Sequence, residues 1–429
     1  MELTLALIII AAAIYFMVRG EDVRLVLFAA GLALTSLALE PWRVLDEFRK
    51  QMVYGDIVGP LCAAVGYAYV LRATGCDREM VRLLIKPVRR VPWLLVPAGC
   101  VVGFVTNIAI TSQTGSAAAV GPVLAPLMLA AGLHPVIVAA TLVLGCSGGG
   151  NMLNAGDGYV LTIASASGAP VKLVLERGLL PLLASFTTAV AVFTWASRRF
   201  APAPCEAKPV AEPDESQPVN LLKALMPPLP VLMIVALLPG VNLVHVSLES
   251  YEKGMPVVHA MLISTILVLL VHRRDPSKQT KEFFDGMGYA YINIISLIIA
   301  ASCFVEGLSA VGLTQKLVSL VHGSGFLGKL ASVVFPGSLA VLSGSALGPS
   351  AAFSKAVLPA LGVTNLTAAV DLGVLGALSA TLGRTISPVA AVVIFAASLV
   401  GVTPLQLVKR TAPPLAVAAV VLLLVAWVR

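Results

Sequence analysis

The sequence has little with which a soluble protein covers itself. Charged residues make up 12% of the chain and aromatic residues 6%, while 58% of its 429 residues are hydrophobic. Mean hydropathy is +0.94. A soluble chain of this length cannot bury so much apolar surface. Its repeated apolar runs approach the ~20 residues that span a bilayer as a helix. Ten-residue stretches of alternating polarity are missing, which excludes a membrane barrel. Helices are the remaining way to satisfy backbone groups in lipid.

Other absences narrow the function. The six cysteines (Cys62, Cys76, Cys100, Cys146, Cys205 and Cys303) form no CxxC or Cys/His spacing and read as small packing residues. The five histidines are scattered, and His134 before Pro135 reads as a loop residue. No HExxH occurs, so a metalloprotease is excluded and no metal site is expected. No nucleophile–base spacing stands out, so the chain does not read as an enzyme. No cofactor is expected. The N-terminus lacks a basic leader: Glu2 comes first and the apolar run continues to Val18, as in a retained first helix. The net charge of +7 lies in loops between apolar runs, which is a mark of topology rather than of a nucleic-acid partner.

One long polar stretch is present. Residues 199–220 are rich in proline and charge and read as a cytoplasmic linker. The linker separates residues 1–198 from residues 221–429, and these halves resemble each other. "SQTGSAAAVGPVLAP" from Ser112 matches "SALGPSAAFSKAVLP" from Ser345, and "GCSGGGNMLNAGDG" lies opposite "ALSATLGRTISPVA" from Ala377. Matched blocks recur about 235 residues apart in the same order. Weak internal symmetry of this kind marks secondary transporters.

The expected fold is an all-α polytopic membrane protein of two inverted repeats. Each repeat holds about five spans, a re-entrant hairpin and a broken helix. The first half has plain helices at about 3–19, 22–40 and 57–73, and an amphipathic segment at 76–88. A hairpin at 93–132, a broken helix at 135–166 and a last helix at 178–198 follow. The second half repeats this at 221–244, 256–271, 288–308, 313–322, 326–362, 365–399 and 411–428. On this topology the side opposite the N-terminus carries twice as many Lys and Arg as the other. That side is then cytoplasmic and both termini are periplasmic.

Four polar islands interrupt the apolar segments: 106–115, 146–158, 342–350 and 378–388. Irregular backbone at membrane depth is tolerated where it is buried in protein or lines a cavity. Matched islands therefore point to one central site. Its residue types suit a carboxylate: Ser112, Gln113, Thr114 and Gly115 on the first tip, with Ser343, Gly344 and Ser345 on the second. Asn151, Asn154, Thr381 and Thr385 add hydroxyls and amides at the breaks. Broken helices also aim N-terminal N–H groups at anions. Small polar residues alternatively serve close helix packing. That account fits the run Gly148–Gly150 less well, since each glycine weakens a helix by roughly 1 kcal/mol.

Arg384 stands out, because a central arginine costs at least ~2.5 kcal/mol to insert. It would bind a substrate carboxylate bidentately, or it would pair with Asp157 or Asp371 and hold the halves together. By sequence its counterpart in the first half is Met152. Asp157 could bind a cation or cap the resumed helix. Asn107, Asp157 and Asp371 are candidates for coupling to sodium or protons. Glu306 reads as solvated, and Lys355 as snorkelling or pairing rather than binding substrate.

At these islands the chain resembles the anaerobic C4-dicarboxylate carrier family of the DcuC type, within the wider ion-transporter superfamily. The resemblance spans about Gln51 to Pro414, linker excluded. It is carried by "TSQTGSAAAVGPVLAP" and "LGRTISPVAAVVIFA", with "SGSALGPSAAFSKAVLP" in support. Superfamily members carry Ser-Asn-Thr-like tips that bind carboxylate and often sodium. Here the tips read Ser112-Gln113-Thr114 and Ser343-Gly344-Ser345. The resemblance implies a secondary active transporter, symporter or exchanger, of C4-dicarboxylates such as succinate, fumarate and malate. It also implies elevator-type motion, a homodimer and the bacterial cytoplasmic (inner) membrane. Alternatives are a carrier of a tricarboxylate or monocarboxylate, or a sodium/proton antiporter using Asp157 and Asp371.

Overall fold

The computed structural model describes residues 2–19, 21–86, 94–200, 219–237, 255–313 and 325–428. Every regular element among them is helical. Among the described residues six helical stretches are long and apolar enough to cross a membrane: 57–74, 135–167, 171–199, 276–310, 366–385 and 404–428. Most of the linker and most of the second amphipathic segment lie outside the described residues, as does the end of the expected helix 221–244.

The first half runs α1 (Glu2–Val18), α2 (Val23–Leu37), α3 (Trp42–Met52), α4 (Gly55–Thr74) and α5 (Cys76–Ile85). It continues through α6 (Leu95–Ala109), α7 (Gln113–Ala130), α8 (Pro135–Cys146), α9 (Gly158–Ser167) and α10 (Val171–Arg199). The second half begins with the short α11 (Leu221–Ala224) and α12 (Leu229–Ala236), then α13 (Val257–His272), α14 (Pro276–Ala290) and α15 (Ser296–Ala310). It ends with α16 (Gly325–Ser343), α17 (Leu347–Thr364), α18 (Leu366–Thr385), α19 (Ala391–Val400) and α20 (Pro404–Val428). Two helices, a turn, a helix, a break and two further helices thus occur once in each half.

Local chemistry explains the boundaries. Ser112, Asp157 and Asn365 cap α7, α9 and α18, each side chain accepting from a first-turn N–H. Pro135 opens α8, where its missing N–H costs nothing. Gly75 and Gly168 end α4 and α9 at φ of 72° and 73°, which disfavours a Cβ. The helix α8 is buried on all sides after its first residue, as a core helix should be.

Several elements differ from the sequence expectation. The amphipathic α3 differs from the expectation; it falls between apolar windows, and its Val44 is buried while Arg43, Asp46, Arg49 and Lys50 face out. α10 begins at Val171, not 178, because Lys172, Glu176 and Arg177 break the apolar run without breaking the helix. The segment 276–310 is continuous through a π-helical turn at Tyr291–Ile295. The second break also comes later than expected. α18 runs unbroken through Thr381 and Arg384, and the chain leaves the helix only at Ile386.

The helices form two groups. One packs α2 on α15, α3 on α15, and α4 on α13 and α14. The other packs α6 and α7 on α8, α16 and α17 on α18, α10 on α20 and α19 on α7 and α8. The groups meet where α15 packs on α17 and α4 on α9. Both groups draw on both halves of the chain.

Candidate functional site

The first break opens after α8. Gly149 takes φ +92°, which reverses the chain, and Gly150 lies so close to the Phe104 carbonyl of α6 that a methyl would overlap it. Side-chain amides replace the lost helical bonds. Asn107 Oδ1 on α6 accepts from the Asn151 N–H at 3.1 Å, and Asn151 Nδ2 donates to Asp157 Oδ2 at 2.9 Å. Asn154 uses both ends of its amide: Nδ2 donates to the Ile108 carbonyl at 2.8 Å and Oδ1 accepts from Gly156 N–H at 2.9 Å. Asp157 Oδ1 accepts from Tyr159 N–H at 2.9 Å and so restarts the helix. Of the two sequence readings of Asp157, the cap is therefore seen.

The first hairpin tip rests on the same residues. Asn107 Nδ2 and Ser116 Oγ both donate to the Ile110 carbonyl, at 3.0 and 2.8 Å. Ser112 Oγ accepts from Gly115 N–H at 3.1 Å, and Ser112, Gln113, Thr114 and Gly115 stay half-buried at the N-terminus of α7. On the second tip, Ser343 Oγ donates to the Ser345 carbonyl at 3.1 Å. Gly344, at φ +67°, packs against Val389 and Ala390 of the second break.

The two breaks meet at buried hydroxyls. Ser147, the residue that ends α8, and Thr385, the last of α18, have their hydroxyl oxygens 2.7 Å apart. Arg384 Nη2 donates to Ser147 Oγ at 2.6 Å. Thr385 also donates to the Thr381 carbonyl at 2.6 Å, and Thr381 to the Ala377 carbonyl at 2.9 Å. Asn107 thus joins the first tip to the first break through Asn151, Ser147 joins the two breaks through Arg384 and Thr385, and Gly344 joins the second tip to the second break. Sequence reasoning missed Ser147. Its position in the glycine island was the only signal, since its partners lie 237 and 238 residues away.

Arg384 is 9% exposed. It makes no ion pair with a described carboxylate, and its Nε has no hydrogen-bond partner. The alternative reading, a pairing with Asp157 or Asp371, is therefore not seen as a direct ion pair, although Asp157 lies near enough to act on the guanidinium through its charge. Asp371 instead takes both Nε and Nη2 of Arg177 on α10, with Nε 2.7 Å from Oδ1. Asn151 Oδ1 and the hydroxyls of Thr106 and Ser387 are likewise buried without partners.

The remaining charges lie away from these contacts. Glu306 pairs with Arg43 at 2.6 Å rather than standing solvated. Lys355 on α17 donates to Gln51 Oε1 of α3 at 2.8 Å and to Ser302 Oγ of α15, so it crosses between the two helix groups. His134 Nδ1 accepts from Val136 N–H at 3.2 Å and caps α8. The five described cysteines are free and buried. No group of three His, Cys, Asp or Glu that could hold a metal occurs among the described residues.

The first arm of each hairpin approaches its broken helix through glycine. A Cβ on Gly103 of α6 would lie 2.8 Å from the backbone at Gly145 and Cys146 of α8. A Cβ on Gly383 of α18 would overlap the Gly337 carbonyl of α16.

Residues 51–428 match the C4-dicarboxylate anaerobic carrier family, DcuC. An uncharacterized transporter of Haemophilus influenzae is 39% identical over 210 residues, covering 48% of this chain and 72% of that protein. The anaerobic C4-dicarboxylate transporter DcuC of Escherichia coli is 25% identical over 456 residues, covering 98% of this chain and 95% of its own. The chain belongs to the C4-dicarboxylate anaerobic carrier family. That family comprises transporters rather than enzymes.

Proposed function

From this membership we propose that the chain is a secondary active transporter of C4-dicarboxylates in the bacterial inner membrane, with Arg384 as the carboxylate anchor. One observation carries the reading. A buried guanidinium that no carboxylate pairs directly is costly, by up to several kcal/mol even after relaxation. A substrate carboxylate supplies the missing charge and a partner for Nε. The tips Ser112–Gly115 and Ser343–Ser345 offer hydroxyls and helix N-termini to the second carboxylate. Asn151, Thr381 and Thr385 line the breaks, and Asn154 braces the first of them.

The two halves act as inverted repeats in this reading. In support, the same order of elements occurs twice, and glycine approaches recur at matched places. The 15-residue α6 is about 22 Å long, short of the ~30 Å hydrocarbon core, as a re-entrant arm would be. The group holding both hairpins and both breaks would move against the other group, carrying the site across. A homodimer and periplasmic termini complete the arrangement. Coupling falls to sodium or a proton, with Asn107 and Asp157 as the candidates at the first break.

The antiporter alternative leans on Asp157 and Asp371. Their oxygens are engaged by Asn151, Tyr159 and Arg177, which favours the carboxylate reading.

Proteoliposomes test the proposal. Labelled succinate should enter against internal fumarate by counterflow, and proton or sodium gradients should separate the coupling ions. Cation movement without dicarboxylate movement would overturn it.

A further inference from the structure

A groove of about 680 Å³ opens on the outer side of the helix group that carries the breaks, between the start of α6 and the end of α10. Its walls are apolar: Pro97 and Val101 from α6, Phe186 and Val190 from α10. Val101 is 48% exposed, so the groove is open at the surface of the chain. One end is different. Trp195, 62% exposed, stands there with the guanidinium groups of Arg198 and Arg199, which are also exposed. Thr194, whose hydroxyl lacks a hydrogen-bond partner, lies beside them.

We propose that this groove binds one anionic phospholipid, its acyl chains between α6 and α10 and its phosphate at Arg198 and Arg199. The charge pattern selects this occupant. An apolar trough of this size suits hydrocarbon. A pair of guanidiniums at one end suits a phosphate, which arginine binds bidentately. Tryptophan sits preferentially at the headgroup level of a bilayer, which places the arginines there too. These arginines lie on the strongly basic side of the sequence topology, so the lipid belongs to that leaflet.

Occupancy reaches the site through one wall. Phe186 stacks on Phe104 of α6 with ring centroids 4.1 Å apart. The same ring packs against Gly148, which a methyl would meet at 2.6 Å. The acyl chains therefore back the aromatic pair that presses on the first break.

The test reads binding, independently of any transported substrate. The full chain is reconstituted in phosphatidylcholine vesicles with added phosphatidylglycerol, extracted gently, and its retained lipid identified by native mass spectrometry. Wild type should retain phosphatidylglycerol in preference to phosphatidylcholine. Each arginine near the surface contributes about a fivefold preference, so Arg198→Gln with Arg199→Gln should lower selective retention roughly 30-fold. Val101→Trp fills the trough and should abolish retention while leaving both arginines in place. Equal retention of the two lipids by wild type overturns the proposal. So does unchanged selectivity in both variants.

Discussion

Replacing Arg384 by Gln separates a ligand role from a structural one, because the two predict opposite signs. In the substrate-free protein the guanidinium has one hydrogen bond, to Ser147 Oγ, and an unpartnered Nε. Losing a hydrogen bond to a charged group costs about 1.5–3 kcal/mol. Removing a buried ion that no carboxylate pairs directly returns up to several kcal/mol. The substrate-free variant should therefore range from unchanged to ~3 kcal/mol more stable than wild type. Binding should suffer instead. Removing one partner of a buried charge pair costs about 2–5 kcal/mol, or roughly 30-fold to several thousand-fold in affinity. The assay is thermal unfolding with and without succinate, alongside counterflow uptake. Wild type should gain a ligand-dependent rise in Tm that the variant lacks. A variant that unfolds several kcal/mol more readily without ligand, yet keeps its ligand response, would refute the reasoning.

Ser147→Ala removes the acceptor that orients Arg384; KM should rise about tenfold for the loss of a charged hydrogen bond, and Ser147→Thr should recover most of it. An unchanged KM would show that the contact does not orient the guanidinium. Gly150→Ala forces a methyl onto the Phe104 carbonyl and should cost about 1–3 kcal/mol of stability, read as a lower Tm. At the α1–α2 turn, hydrogen bonding to Arg24 holds the Asp22 carboxyl down to about 2, below its ordinary 3.8. Its stabilisation is therefore complete above the unfolded value and lost as pH falls towards 2. Both side chains are more than one-third exposed, so Asp22→Asn should flatten the acid limb of a stability–pH curve by under ~1 kcal/mol.

Much of this was legible in the sequence because membranes punctuate sequences strongly. Apolar runs located most spans, and the glycine island marked the first break. Arg384 announced itself as a charge where charge is expensive. The second break was misplaced for a physical reason. Thr381 and Thr385 lie in the polar island 378–388, yet each hydroxyl donates to the carbonyl four residues back and both stay helical. Arg177 looked like a loop charge, but Asp371 on α18 gives it a partner inside a longer α10. Ser147 was invisible as a site residue because its importance comes from contacts across the whole chain.

The glycine approaches carry a mechanical consequence. Helices slide past one another by rearranging the side chains between them, which is how shear motions are accommodated. Gly103 against Gly145, and Gly383 against Gly337, leave no such layer: backbone meets backbone. A one-residue slip would drive Val102 or Phe104 into a space that does not admit a methyl. The first arm of each hairpin is therefore keyed to its broken helix, and in the proposed motion the two would travel together. The plane of slip would then fall where side chains form the seam, as at Lys355 against Gln51 and Ser302.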